Sequence, residues 1–223
     1  MSLVAELLPG VCLVCGGKLD APHGVCRACR SAIKPLKGPL CEICGTPLGS
    51  PGVCLSCLSS PPAFESLRAA AVYDEPLSTV LAAFKYRRAT IYKRFLGELL
   101  AGVDLGRACA AVTFVPLYWT RQLGRGYNQA ALLARELGRL HSIPCAGLLR
   151  RSRPTRPQVG LRRDPRKLNL RGAFEALPET AGLRVLLVDD VITTGTTLNS
   201  AAAALKRAGA AEVHCLAVAR ALR

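Results

Sequence analysis

The stretch Val185-Leu186-Leu187-Val188-Asp189-Asp190-Val191-Ile192-Thr193-Thr194-Gly195-Thr196-Thr197 decides how the remaining sequence of this 223-residue chain is read. It runs strand, acid pair, hydroxyl-rich loop, helix. In a parallel α/β sheet, ligands bind outside the carboxyl ends of the strands, so two adjacent carboxylates at that point face a ligand crevice. Asp189 and Asp190 suit ribose hydroxyls or a magnesium ion. The loop then offers the hydroxyls of Thr193, Thr194, Thr196 and Thr197, with Gly195 permitting a tight turn. It opens a helix whose free backbone N–H groups and dipole favour an anion, so the segment reads as a phosphate cradle. No lysine follows Gly195 and no Gly-x-Gly-x-x-Gly occurs, which excludes the common nucleoside triphosphate and dinucleotide loops. The expected ligand is a sugar phosphate.

Outward from this stretch the chain alternates short apolar runs with helical spacing, the pattern of an α/β domain with a mostly parallel sheet and flanking helices. Downstream, a helix is predicted over about Thr197 to Ala208 and a last strand from Val213 to Val218. Upstream, Phe64 to Tyr73, Ala111 to Val115 and Cys145 to Leu149 read as strands. Pro76 stands where a helix can begin, and Leu77, Val80, Leu81 and Phe84 share one face at helical spacing. Further amphipathic stretches cover Tyr92 to Leu105 and Asn128 to Leu140. Ser59-Ser60-Pro61-Pro62 breaks periodic structure and marks a boundary, giving a small cysteine-rich unit over 1–60 and the α/β unit over 61–223.

Eight of the 11 cysteines fall before that boundary in four Cys-x-x-Cys pairs: Cys12/Cys15, Cys26/Cys29, Cys41/Cys44 and Cys54/Cys57. Each turn points two sulfurs at one ion, and zinc takes four thiolates, so two closed structural Zn2+ sites are expected. By spacing, sequential and cross-braced pairing are equally allowed. Gly16, Gly17, Gly24 and Gly45 lie beside the pairs, and the residues between them are too few for an apolar core, so metal takes its place. The N-terminus lacks the features of a secretory signal, which points to a reducing, cytoplasmic setting and to metal before disulfides. No apolar run approaches the roughly 18 residues of a membrane span. Cys109, Cys145 and Cys215 read as buried thiols, and His23, His141 and His214 lack a catalytic partner.

The acid pair and loop resemble the phosphoribosyl pyrophosphate (PRPP) loop of type I phosphoribosyltransferases, and the rest of the chain is similar to the ComF group of that fold. Val115-Pro116-Leu117, Arg121 and Arg125-Gly126-Tyr127-Asn128-Gln129 resemble the group's signature, with Tyr127 where Phe is usual and a bulky Tyr118-Trp119 nearby. So do Lys85-Tyr86-Arg87, the string Thr155, Gln158, Leu161, Arg166, Asn169 and Ala173-Phe174, and the double zinc ribbon. The resemblance implies that Asp189 and Asp190 hold the ribose hydroxyls and that Thr193, Thr194, Gly195, Thr196 and Thr197 hold the 5′-phosphate. Arg121, Arg125, Arg166 and Lys167 would face the pyrophosphate, with Mg2+ accompanying PRPP. It also implies a place in natural competence and DNA uptake, where single-stranded DNA, a competence helicase or other uptake proteins are the partners.

Charge bears on both readings. The chain holds 30 Lys and Arg against 15 Asp and Glu, a net +15. Between Arg150 and Arg171 nine basic residues face one acid, Asp164, for a net of +8. Pro154, Pro157 and Pro165 keep that segment from forming one helix, and it matches the place of the loop that covers PRPP in the family. A second run, Lys85 to Arg94, interleaves cations with Tyr86, Tyr92 and Phe95; these aromatics suit either stacked bases or the core face of a helix. Two functions share the same loop: transfer of a phosphoribosyl group with pyrophosphate release, or non-catalytic PRPP sensing coupled to single-stranded DNA or protein partners.

Overall fold

The computed structural model describes residues 10–19, 24–87, 89–106, 108–118, 126–152 and 172–222. Its strands, in chain order, are β1 Gly10–Val11, β2 Lys18–Leu19, β3 Ser66–Val72, β4 Ala111–Phe114, β5 Leu149–Arg151, β6 Phe174–Ala176, β7 Arg184–Ile192 and β8 Glu212–Arg220. Four of them form one parallel sheet in the order β3-β8-β7-β4. Val185, Leu186, Leu187 and Val188 are buried on both faces of β7, which is why that run is continuously apolar. Edge strand β3 alternates buried and half-buried residues instead.

Each face of the sheet has its own core. On one, Leu187 and Cys215 pack with Leu198, Ala201 and Leu205 of the helix Thr196–Arg207. On the other, Leu186 and Val188 pack with Leu81, Phe84, Leu96 and Leu133, which belong to the helices Leu77–Tyr86, Lys93–Ala101 and Gln129–His141. Burying a Leu or Phe side chain contributes about 1.5–3 kcal/mol, so these layers hold the apolar part of β7 in place between them.

The sheet extends further than the apolar run predicts. β7 continues through Asp189 and Asp190 to Ile192 because β8 keeps pairing with it as far as Arg220. The expected strand Cys145 to Leu149 is replaced by a single bridge between Val112 and Cys145 and by β5, which pairs with β6 in an antiparallel hairpin. The helix expected over Tyr92 to Leu105 stops at Ala101, capped by Gly102, and is preceded by a 3-10 turn at Thr90–Tyr92. Cys215 is buried, whereas Cys109 and Cys145 are half-buried. His214 is buried with Ser66 Oγ 2.8 Å from Nδ1 and Glu212 Oε2 3.0 Å from Nε2. Among the described residues no helix is long and apolar enough to cross a membrane.

The cysteine-rich segment is welded to this sheet. Val72 N–H donates to Lys34 O at 2.9 Å and Leu36 N–H to Ala70 O at 3.3 Å, so residues 34–36 cover the outer edge of β3. Arg30 stacks over Phe95 at 4.6 Å and lies 3.8 Å from Glu98, docking the first ribbon on the helix Lys93–Ala101.

Candidate functional site

At the carboxyl end of β7 the two acids are locally ordered: Asp190 N–H donates to Asp189 Oδ1 at 2.9 Å. Burial, and next the neighbouring Asp190 charge, push the Asp189 carboxyl up to about 7, against the Asp190 amide, Lys85 and Arg151, which draw it down. Lys85, from the last turn of the helix Leu77–Tyr86, places Nζ 3.0 Å from Asp190 Oδ1, and both side chains are largely shielded from water. Burial works against the charged Lys85, but the Asp190 carboxylate outweighs it and holds the ammonium above its ordinary value.

Beside the acids, the chain leaves β7 and turns into the helix Thr196–Arg207 at Gly195, which has φ +75 and no side-chain cap. That backbone favours glycine, and a Cβ there would also press on Leu67 Cδ2 at 3.4 Å. Thr194 Oγ1 lies 2.8 Å from Thr196 Oγ1 and accepts from Thr196 N–H at 3.4 Å, while Thr193 and Thr194 are exposed. Helix amides and threonine hydroxyls therefore converge where an anion can sit.

Three consecutive side chains tie the surrounding elements together. The Tyr127 hydroxyl donates to Phe84 O, Gln129 Nε2 donates to Lys85 O at 3.3 Å, and Asn128 Nδ2 donates to Val115 O at 3.0 Å. Asn128 Oδ1 also accepts from Ala131 N–H at 3.4 Å, capping its own helix. Arg151 lies 5.3 Å over the Phe174 ring and acts electrostatically on Asp189. Thus Asp189, Asp190, Thr194, Gly195, Thr196 and Thr197 gather at one end of the sheet, with Thr193 leading into them. Arg121, Arg125, Arg166 and Lys167 lie outside the described residues, as do His23, Trp119 and most of the Arg150 to Arg171 segment. In the run from Lys85 to Arg94, Tyr92 and Phe95 are buried in the core, so the stacking role fits only exposed Tyr86.

The thiols settle the pairing that spacing left open. Cys12, Cys15, Cys26 and Cys29 form one quartet and Cys41, Cys44, Cys54 and Cys57 the other, all ligand atoms of a quartet lying within 4.8 Å of one another. Backbone amides are aimed at the sulfurs: Cys26 N–H at Cys12 Sγ, 3.4 Å, and Cys54 N–H at Cys41 Sγ, 3.3 Å. Burial disfavours the Cys12 and Cys41 thiolates, yet these amides and their neighbours bring both thiols down to about 6. This donor chemistry fits zinc, which each quartet would hold with four sulfurs.

The second quartet is also wired to the elements beneath the threonine loop. Arg68 Nη2 donates to Glu42 O at 2.8 Å, and Arg220, at the end of β8, donates to Cys44 O and to Thr46 Oγ1. Gly45 has φ +64 and packs so closely that a Cβ would come within 2.3 Å of Leu67 O. Leu67 is the residue under Gly195. A cleft of about 1060 Å³ separates Thr194, Gly195 and Thr196 from the ribbon wall at Thr46, Ser50 and Ser56, and no carboxylate lines it among the described residues.

Two sequence families match the chain: the phosphoribosyl transferase domain over residues 123–223 and the double zinc ribbon domain over residues 3–58. Competence protein F of Haemophilus influenzae is 37% identical over 223 residues, covering 94% of this chain and 96% of its own length. The chain belongs to the ComF family. DNA utilization protein YhgH of Salmonella typhi is 35% identical to this ComF-family chain over 227 residues, 96% of it and 99% of the relative. Competence protein ComFC of Bacillus subtilis is 27% identical over 224 residues, 90% of each. The ComF-family chain thus joins a double zinc ribbon to a phosphoribosyltransferase domain on a parallel sheet. Residues 59–122 fall between the two matched segments, yet they supply β3, β4 and Lys85. Apart from the Lys85-Tyr86-Arg87 likeness, nothing local in the sequence connects Lys85 with Asp190, which is 105 residues away.

Proposed function

We propose that this ComF-family protein binds PRPP with Mg2+ and serves DNA uptake in competence, a reading supported by relatives whose names print competence, competence protein F, and DNA utilization, YhgH. The observation that carries the reading is the juxtaposition, at the end of β7, of the Asp189–Asp190 pair with the glycine-turned threonine loop at a helix N-terminus. The acids accept the two ribose hydroxyls, and Thr193 to Thr197 donate to the 5′-phosphate. Arg121, Arg125, Arg166 and Lys167 meet the pyrophosphate. Mg2+ supplies charge neutralisation on PRPP when bound. With an acceptor present, a nucleophile bonds to ribose C1 as the bond from C1 to the pyrophosphate oxygen breaks, and pyrophosphate leaves with the electron pair. Positioning and charge stabilisation are sufficient to drive such a step. Without an acceptor the same site is a PRPP sensor, coupled to single-stranded DNA. We further propose that the ribbons, 1–60, and the phosphoribosyltransferase unit, 61–223, are the two domains.

Titration of PRPP with Mg2+ by calorimetry tests the site. Asp190→Asn is expected to weaken binding by about 10-fold or more, since it replaces a charged acceptor of hydroxyl hydrogen bonds, about 1.5–3 kcal/mol. Unchanged affinity in that variant would sink the assignment. Pyrophosphate release with candidate acceptors then separates the two modes: release marks a transferase, and binding without release for any acceptor marks the sensor.

A further inference from the structure

We propose that Lys85 is the positioning residue of the acid pair, held in place by a brace of Tyr127, Asn128 and Gln129, and that it aims Asp190 at the sugar hydroxyls of the ligand. The inference rests on the reading of the pair as a ribose clamp. Two carboxylates on adjacent residues repel each other, and in a half-buried site the repulsion is poorly screened. A cation 3.0 Å from Asp190 counters it. Lysine, however, is a flexible chain with up to about 2 kcal/mol of rotamer entropy to lose, so a fixed pair needs a fixed platform.

The platform is visible. Carbonyls in the last turn of a helix have no intrahelical partner. In the helix Leu77–Tyr86 two of them, Phe84 O and Lys85 O, accept from Tyr127 and Gln129. Asn128, between them, ties the same segment to Val115 at the end of β4 and caps the helix Gln129–His141. The brace therefore fixes the backbone from which Lys85 reaches across to β7. Besides the two acids, the groups that interact with this cluster among the described residues include Arg151, the Tyr86 phenol and the buried Cys215 thiol of β8, which burial and the Asp189 charge push up. Arg151 and Lys85 are cations that act on Asp189, and Lys85 Nζ lies 3.0 Å from Asp190 Oδ1. Any close cation shifts a carboxylate's titration, but an ion pair that served the fold alone would leave the pH dependence of PRPP affinity unchanged.

The test follows the Asp189 carboxyl by carbon-13 NMR across pH in the full-length protein, free of PRPP, for the wild type, Lys85→Met and Lys85→Arg. Lys85→Met is expected to move the Asp189 midpoint upward by about one pH unit or more, the usual effect of removing a close opposite charge, and Lys85→Arg to leave it near wild type. PRPP affinity with Mg2+ should fall about 10-fold in Lys85→Met at neutral pH and recover as the pH is raised, because alkali restores the charge on the pair. A midpoint that stays put in folded Lys85→Met overturns the proposal, and so does an affinity loss that is the same at every pH. A wild type that binds no PRPP, with the midpoint still moved, overturns the ribose-clamp reading and leaves the hold of Lys85 on the acid pair standing. Should Lys85→Met lose its fold, Tyr127→Phe carries the test. It removes one brace bond and leaves Lys85 intact, so a smaller upward move supports the brace and an unmoved midpoint overturns it.

Discussion

Asp189 titrates near neutrality, and the direction of its shift makes opposite predictions for the empty and the occupied protein. Its folded value of about 7 stands above the ordinary carboxyl value of 3.8, so between those limits the folded state holds more protons than the unfolded one. Stability of the ligand-free protein therefore falls as pH rises through that window, by at most about 1.4 kcal/mol per pH unit from this group. Glu65 and Asp74 shift the other way, Glu65 against its own burial through Lys206 and the Val213 amide, Asp74 through Lys34, and they offset the slope at the acid end of the window. The difference in urea stability between wild type and Asp189→Asn, followed from pH about 4 to about 7, isolates it. That difference should move against the wild type with rising pH, and a flat line would mean that Asp189 is not buried as described. PRPP affinity should do the reverse, rising through about pH 7, because the charged carboxylate is the form that accepts ribose hydroxyls.

The zinc ribbons are elements whose stability comes from metal, and their unequal wiring to the sheet predicts unequal consequences. Zinc analysis should give two ions per chain, and Cys57→Ser or Cys15→Ser should each give one, since each removes a ligand from a separate quartet. Cys57→Ser should also weaken PRPP binding more than Cys15→Ser. The second quartet bears through Gly45 on Leu67, the residue beneath Gly195, whereas the first docks on the helix Lys93–Ala101 on the other face. Equal effects on PRPP would show that the contact through Leu67 transmits nothing. Most of this architecture was readable from sequence, because four Cys-x-x-Cys turns and an apolar run ending in two acids each have few physical interpretations. The parts that escaped are those set by distant partners. β7 runs on through its polar residues because β8 stays paired with it, and β5 and β6 are three residues each, too short for any period to show. Lys85 likewise reads as part of a basic run, and only the folded chain turns it to Asp190.

At the scale of the whole molecule, the question is what the net positive charge is for. Two zinc ions bound by eight thiolates lower the formal +15 to about +11, and +8 of the total is concentrated between residues 150 and 171. In the other basic run Lys85 is committed to Asp190, Arg94 lies 3.4 Å from Glu98, and Tyr92 and Phe95 are core residues, so among the described residues the exposed cations Arg87 and Lys93 remain to meet a strand. Single-stranded DNA should therefore depend on the 150–171 segment more than on residues 85–94. Each phosphate neutralised contributes about −0.7 to the slope of log affinity against log salt on a single strand. Replacing Arg162 and Arg163 with Ala should flatten that slope by as much as about 1.4, while Lys93→Ala with Arg94→Ala should change it far less. The same segment is assigned to the pyrophosphate of PRPP, so saturating PRPP with Mg2+ should compete with DNA and weaken its binding. A strand affinity that barely responds to salt would remove phosphate contact from either segment, and DNA binding indifferent to PRPP would separate the DNA path from the sugar-phosphate site.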